Sequence, residues 1–322
     1  MSEVLAATVA GWVEEFITDM RRRGYSERSW RNYRYDLLQL VAWLRQQPEL
    51  RTPGDLTATA LEQYQMHLML RRSLKYKYSQ PRTMTAGSRN RHLAELRSFF
   101  RYLKKAGKIL SNPSLELDRA RETKRLPKAI LTIPEVARLL QAIPKITATG
   151  LRDLAAVELL YGSGIRRREL LQLQLADLRL SEELVHVVGK GDRERVVPIG
   201  KAAYKALERY LREGRPQLVK GDHRFVWVSC FHGGPVSDRE LLRCIREHAR
   251  RAGIKKSIGF HLFRHSCATH LLRGGADLRS IQTLLGHSDL SSTAIYTRIE
   301  ISDLRKTMLR CHPREKDLPD PA

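Results

Sequence analysis

Four short stretches of this 322-residue chain carry side chains that could do chemistry on a phosphate. In "YGSGIRRREL", Arg166 and Glu169 stand three apart at the start of a helix that follows a glycine-rich turn, so they share one face. In "GKGDRERVV", Lys190 sits between two glycines at a hairpin tip, where an ammonium can reach a nucleic-acid groove and protonate a leaving oxygen. In "GFHLFRHSCATHLL", His261 and Arg264 again share a helical face. In "LLGHSDLSSTAIYTRI", Gly286 ends a helix, His287 follows it, and Ser291 or Ser292 caps a short helix bearing Tyr296. Taken singly, these are a surface ion pair, a solvated turn lysine and a core aromatic. Together they are groups that could clamp, protonate and attack a phosphate without a metal. Zinc does not fit, because the His261–His265 pair lacks the glutamate that a zinc-protease helix needs; Leu262 stands there. His265 reads as a buried histidine bonded to backbone.

Composition names the partner. Lysine and arginine number 58 against 35 acidic residues, a net charge of +23. Residues 1–128 hold 25 basic and 13 acidic side chains (+12), and residues 129–322 hold 33 and 22 (+11). Both halves are therefore basic, as expected if both touch one polyanion, and nucleic acid is the polyanion expected. The four cysteines, Cys230, Cys244, Cys267 and Cys311, have neither disulfide-framework nor zinc spacing and read as reduced structural thiols. Apolar runs are far shorter than the roughly 20 residues a membrane helix needs, and no export signal is evident at the N-terminus. A cytoplasmic protein without membrane contact is expected.

The elements that must position these residues are mostly helical. Helical spacing is predicted in "VAGWVEEFITDMRRRG", in "SERSWRNYRYDLLQLVAWLRQ" capped by Ser26, in "TATALEQYQMHLMLRRSL", and in "SRNRHLAELRSFFRYLKKAG" ending at Gly107. These form a helical bundle whose basic faces supply candidate DNA contacts: Arg28, Arg31, Arg34, Arg89, Arg91 and Arg97. The basic stretch "RRSLKYKYSQPRTMTAGSR" lacks periodicity and reads as a flexible connection, with Lys75 and Lys77 as further candidates; Arg193 joins them from the hairpin. Residues 1–118 are assigned to the bundle, 119–130 to a linker and 131–322 to a second domain. That domain opens with a Thr132–Glu135 capping box and contains a small antiparallel sheet at "LVHVVGKGDRERVVPI". The fold class is mostly α, with an α+β second domain.

The combined motifs resemble the tyrosine recombinases, or phage-integrase family, and among them the Xer-type enzymes and nearby mobile-element integrases. Gly164, Ile165, Arg166, Glu169 and Leu170 match its first motif. Gly189 through Arg195 to Pro198 match its hairpin, His261 to Leu272 its H-x-x-R helix, and Leu285 to Tyr296 its terminal motif. The first half is similar to the family's SAM-like core-binding domain. The resemblance implies that Tyr296 attacks a DNA phosphodiester to give a 3′-phosphotyrosyl bond and a 5′-hydroxyl. It implies that Arg166 and Arg264 clamp the non-bridging oxygens, with His261 and His287 adding hydrogen bonds and His261 acting as base. It also implies that Lys190 protonates the departing oxygen and that Glu169 orients the cluster through Arg166 or a histidine. No metal, ATP or other cofactor is implied.

The same resemblance implies a C-shaped clamp on duplex DNA and four protomers exchanging strands through a Holliday junction. The tail "EISDLRKTMLRCHPREK", with Ile301, Leu304 and Met308 at helical spacing, is expected to dock on a neighbour. Two other readings stand beside this one: DNA relaxation of the type IB topoisomerase kind, and a DNA-binding regulator that has lost catalysis.

Overall fold

The computed structural model describes residues 2–70, 72–73, 82–121, 129–189, 194–286 and 298–315. The chain divides into two compact units, Met1–Leu126 and Pro127–Ala322.

The first unit is built on four helices, α1 (Ser2–Arg22), α2 (Glu27–Leu44), α3 (Ala58–Leu70) and α4 (Ala86–Lys105). Their boundaries follow local chemistry. The Ser26 hydroxyl accepts from Ser29 N to start α2, Thr85 does the same for Ser88 N at α4, and Gly24 and Gly107 take positive φ just beyond helix ends. Leu5, Val9, Val13 and Phe16 of α1 meet Leu37, Leu40 and Leu44 of α2 and Leu96, Phe99 and Leu103 of α4 in one core. Each such side chain contributes about 1.5–3 kcal/mol when fully buried. Where the sequence predicts a structureless connection after α3, β1 (Arg72–Ser73) pairs antiparallel with β2 (Arg82–Thr83). Two residues per strand are too few to leave a period in the sequence.

A polar cluster crosses this core. Asp36 of α2 and His92 and Glu95 of α4 are all buried, and Tyr64 Oη shares a 2.8 Å hydrogen bond with His92 Nε2. Burial, then the hydrogen bond and charge of Asp36, push the Glu95 carboxyl up to about 8. Arg91 closes the cluster from outside, donating to Asp36 at 2.8 Å.

The second unit packs α5 (Ile133–Ala142), α6 (Ala148–Ser163), α7 (Arg167–Gln172), α8 (Lys201–Arg209), α9 (Arg215–Leu218), α10 (Asp238–Arg251), α11 (Phe260–Arg273), α12 (Leu278–Leu285) and α13 (Arg298–Cys311) beside one sheet. Its strands β3 (Leu178–Arg179), β4 (Leu184–Val188) and β5 (Glu194–Pro198) lie antiparallel in that order. The α6 helix is buried from Gly150 to Ser163, its charged side chains Arg152, Asp153 and Glu158 included, and Arg152 is ion-paired with Asp153 and with Glu240 of α10. The Thr132–Glu135 capping box that opens α5 is present, with Glu135 N donating to Thr132 Oγ1 and Thr132 N to Glu135. The α13 helix buries Leu304, Met308 and Cys311 within its own unit. The tail beyond it is pinned by an Arg314–Glu158 ion pair of 2.7 Å and by His312 Nε2, 3.2 Å from the Tyr161 carbonyl. Of the apolar stripe expected to dock on a neighbour, Leu304 and Met308 are buried in this chain and Ile301 is half-buried. Among the described residues no helix is long and apolar enough to cross a membrane.

Candidate active site

The site forms where three chain segments end close together. The α6 helix terminates at Gly164, which has φ +61°; a Cβ there would lie 2.6 Å from Leu285 Cδ2. Only glycine meets both demands, the left-handed backbone and the close approach. Two residues on, Arg166 takes extended backbone and starts α7, with its N–H donating 2.7 Å to Glu169 Oε2. The α12 helix ends at Gly286, again with positive φ.

Two guanidiniums join these ends. Arg264, on α11, donates from Nη1 to the Gly164 carbonyl and from Nη2 to the Leu285 carbonyl, both at 2.7 Å. Arg166 donates from Nη2 to the Gly286 carbonyl and from Nη1 to Glu169 Oε1, the latter at 2.8 Å. Each guanidinium has five N–H groups, and the bonds described use two apiece among the described residues. Burial, then the nearby charges of Arg166 and Arg195, bring the Arg264 pKa down to about 10, which leaves it cationic at neutral pH.

Arg195, the arginine of the hairpin motif, joins the cluster although the sequence reading gives it no role. Strand β5 pairs Arg195 with Val187 and Val197 with Val185, and all four are buried. Sheet alternation therefore turns Arg195 inward beside Val197. There it forks onto Glu169, Nη1 to Oε1 at 2.6 Å and Nη2 to Oε2 at 2.9 Å. The family resemblance has Glu169 serve Arg166 or a histidine; in the structure it serves Arg166 and Arg195. Burial raises its pKa, but the bonds and charge of Arg195, followed by those of Arg166, outweigh that and hold it below the ordinary carboxylate value. Three guanidiniums gather around one carboxylate, an excess of two positive charges. Such a concentration suits a phosphate, because arginine binds it through paired, charge-assisted hydrogen bonds.

His261 lies exposed in the first turn of α11, three residues before Arg264. The histidine buried in that helix is His270, not His265: Tyr161 Oη and His270 Nδ1 are 2.7 Å apart, while His265 is exposed. The helix turns His270 toward α6, which periodicity cannot decide among three closely spaced histidines. Lys190, His287 and Tyr296 lie outside the described residues, as do Lys75, Lys77 and Arg193.

The remaining basic candidates occupy varied settings. Arg28, Arg31 and Arg34 lie on α2, with Arg31 and Arg34 each 2.7 Å from a glutamate, Glu27 and Glu14. Arg91 is exposed on α4 and paired with Asp36; Arg89 is half-buried. Arg97 turns inward, donating to the Ser114 and Leu117 carbonyls at 3.1 and 2.7 Å, which ties α4 to the segment after it. The structure adds a second basic face. Arg239, Arg243, Arg246 and Arg250 recur along one side of α10 with Glu247 among them, paired with Arg250 at 2.7 Å, and the Arg243 guanidinium lies 5.0 Å from the ring centroid of Phe231, itself 63% exposed. Their spacing of four, three and four residues is the signal by which the sequence could show it.

The phage integrase family matches residues 130–302, and the phage integrase N-terminal SAM-like domain matches residues 12–107. "Tyrosine recombinase XerC 2" of Ralstonia nicotianae is 39% identical over 291 residues, covering 90% of this chain and 82% of that protein. "Tyrosine recombinase XerD" of Pseudomonas putida is 39% identical over 292 residues, 91% of this chain and 93% of that one. Among solved structures, the XerH recombinase bound to palindromic difH is similar in fold, with a TM-score of 0.65 at 20% identity, covering 93% of this chain and 84% of that one. The Tn1549 transposon integrase in complex with a circular-intermediate DNA has a TM-score of 0.67 at 17% identity, covering 92% and 98%.

Proposed function

The chain belongs to the phage integrase family of tyrosine recombinases, and on that premise we propose that Arg166, Arg264, Glu169 and His261 hold a DNA phosphate for attack by Tyr296. The observation that carries this reading is the convergence of Arg166 and Arg264 on the carbonyls of Leu285 and Gly286, the residues just before His287. In the first half-reaction the Tyr296 oxygen bonds to phosphorus as its proton passes to His261. The bond to the 5′-oxygen breaks, and Lys190 protonates that oxygen. Arg166, Arg264 and His287 bear the charge that builds on the non-bridging oxygens. Positioned donors act most strongly where charge develops in the transition state. The phosphotyrosyl bond conserves the phosphodiester energy, so a new 5′-hydroxyl reverses the steps without ATP.

Relatives named XerC and XerD at 39% identity favour recombination between two specific DNA sites over simple relaxation or a silent regulator. The basic faces of α2 and α10 are proposed as DNA contacts, and four protomers as the working assembly on nucleoid DNA in the cytoplasm. Whether the sites belong to a chromosome or to a mobile element follows from the DNA that the protein selects out of fragmented genome. The decisive experiment uses that selected duplex, nicked close to the scissile phosphate so that cleavage cannot reverse. Wild type should accumulate covalent protein–DNA adduct and Tyr296→Phe none. Absence of adduct with wild type on every selected site would sink the proposal.

A further inference from the structure

Arg195 has no place among the groups assigned above to the reacting phosphate, yet it holds Glu169 at 2.6 Å in the same neighbourhood. Both partners are nearly sealed from solvent, with side-chain exposures of 6% and 1%. The fork fixes the plane of the carboxylate, because two parallel N–H bonds leave it no rotation. That plane sets where Arg166 lies, since Glu169 Oε1 accepts from Arg166 Nη1 and Oε2 from Arg166 N. Gly286 closes the third side. A Cβ there would stand 2.9 Å from Arg195 Nε and 3.0 Å from its Cδ and Cζ, and the Gly286 carbonyl accepts from Arg166.

From this junction we propose that Arg195 is a positioning residue for strand cleavage, acting through Glu169 to hold the Arg166 guanidinium at the phosphate. The inference rests on the phosphate-site reading above. Stability alone does not account for the arrangement. Buried ion pairs can often be replaced by apolar residues of similar volume without loss of stability, and Arg195 Nε is buried with no hydrogen-bond partner among the described residues. What an apolar pair could not supply is a fixed carboxylate for Arg166. The relay also explains why sheet alternation places a charged side chain on the inner face of β5, where Val197 is its neighbour.

The test compares Arg195→Gln and Arg195→Lys with wild type in three measurements. These are single-turnover adduct formation on the nicked selected duplex, affinity for the same duplex, and solvent exchange of the Arg166 Nε–H followed by NMR. Arg195→Gln should slow adduct formation about 100-fold, the scale of an ångström-level misplacement, with DNA affinity within about twofold of wild type. Arg195→Lys keeps the charge but loses the fork; it should fall between the two and guards against a Gln variant that does not fold. Arg166 Nε–H exchange should rise in both. Wild-type cleavage by Arg195→Gln, or unchanged Arg166 exchange in a folded variant, overturns the relay. If wild type forms no adduct, the phosphate-site reading fails instead, and the exchange measurement still decides whether Arg195 positions Arg166.

Discussion

Gly164 and Leu285 meet where α6 and α12 end, so closely that a single added methyl at residue 164 would overlap Leu285 Cδ2, and Arg264 donates to the carbonyls of both. The Arg264 guanidinium is thus aimed by two helix ends rather than by its own helix alone. Gly164→Ala should cost about 1–3 kcal/mol of stability, from overpacking and a strained left-handed backbone. Adduct formation should fall further than that loss accounts for, because Arg264 loses its alignment. Urea melts beside single-turnover cleavage check this; a variant with wild-type stability and rate would refute it.

The Asp36–Glu95 pair makes the first unit sensitive to pH. Glu95 has a folded pKa of about 8 against an ordinary 4.5. Between those values the unfolded chain releases a proton that the folded chain keeps, so this contribution is full below pH 4.5 and is lost as pH rises through 8. Glu95→Gln should therefore flatten the alkaline side of the stability curve and stabilise the protein by about 1–2 kcal/mol near pH ~8.5. Little change is expected near pH ~5. Thermal melts at the two pH values decide it, and equal effects at both would contradict the assignment.

The tail responds in the opposite sense. Burial brings the His312 pKa down to about 3 from an ordinary 6.5. The unfolded tail then binds a proton that the seated tail refuses, so the seat is firm above pH 6.5 and weakens as pH falls toward 3. Amide exchange across residues 304–315 should accelerate on going from about pH 7 to about pH 5, after correction for intrinsic rates, before the rest of the second unit loosens. Arg314→Ala, which leaves the carboxylate of Glu158 buried without that partner, should produce the same loosening at neutral pH.

The arginine face of α10 predicts a salt signature. If Arg239 and Arg243 each neutralise one phosphate, Arg239→Ala and Arg243→Ala should each reduce the slope of log affinity against log salt by about 0.9. If they read base edges instead, affinity should fall mainly on the selected site and little on random duplex. Filter binding across a KCl series on both duplexes separates these outcomes. Unchanged affinity on both would remove α10 from the DNA surface.

Much of the molecule is legible in the sequence alone, because it depends on neighbours along the chain. The Ser26 and Thr132 caps, the glycine ends at Gly24, Gly107 and Gly164, and the β4–β5 pairing arise from interactions a few residues long, and residue type suffices to read them. The roles proposed for Arg166, Glu169, Arg264 and His261 come from motifs in the sequence: the order Arg, Lys, His, Arg, His, Tyr at these spacings resembles one family. Spacing along a chain does not say which carboxylate faces which guanidinium across a fold. The fork of Arg195 on Glu169 joins residues 26 positions apart, and Arg166 reaches Gly286 across 120. His270 rather than His265 is buried because α6 lies on that side of α11. The local sequence determined the elements and the kinds of group available. Only the tertiary structure, by deciding which helix ends and strand faces meet, determined which groups are partners.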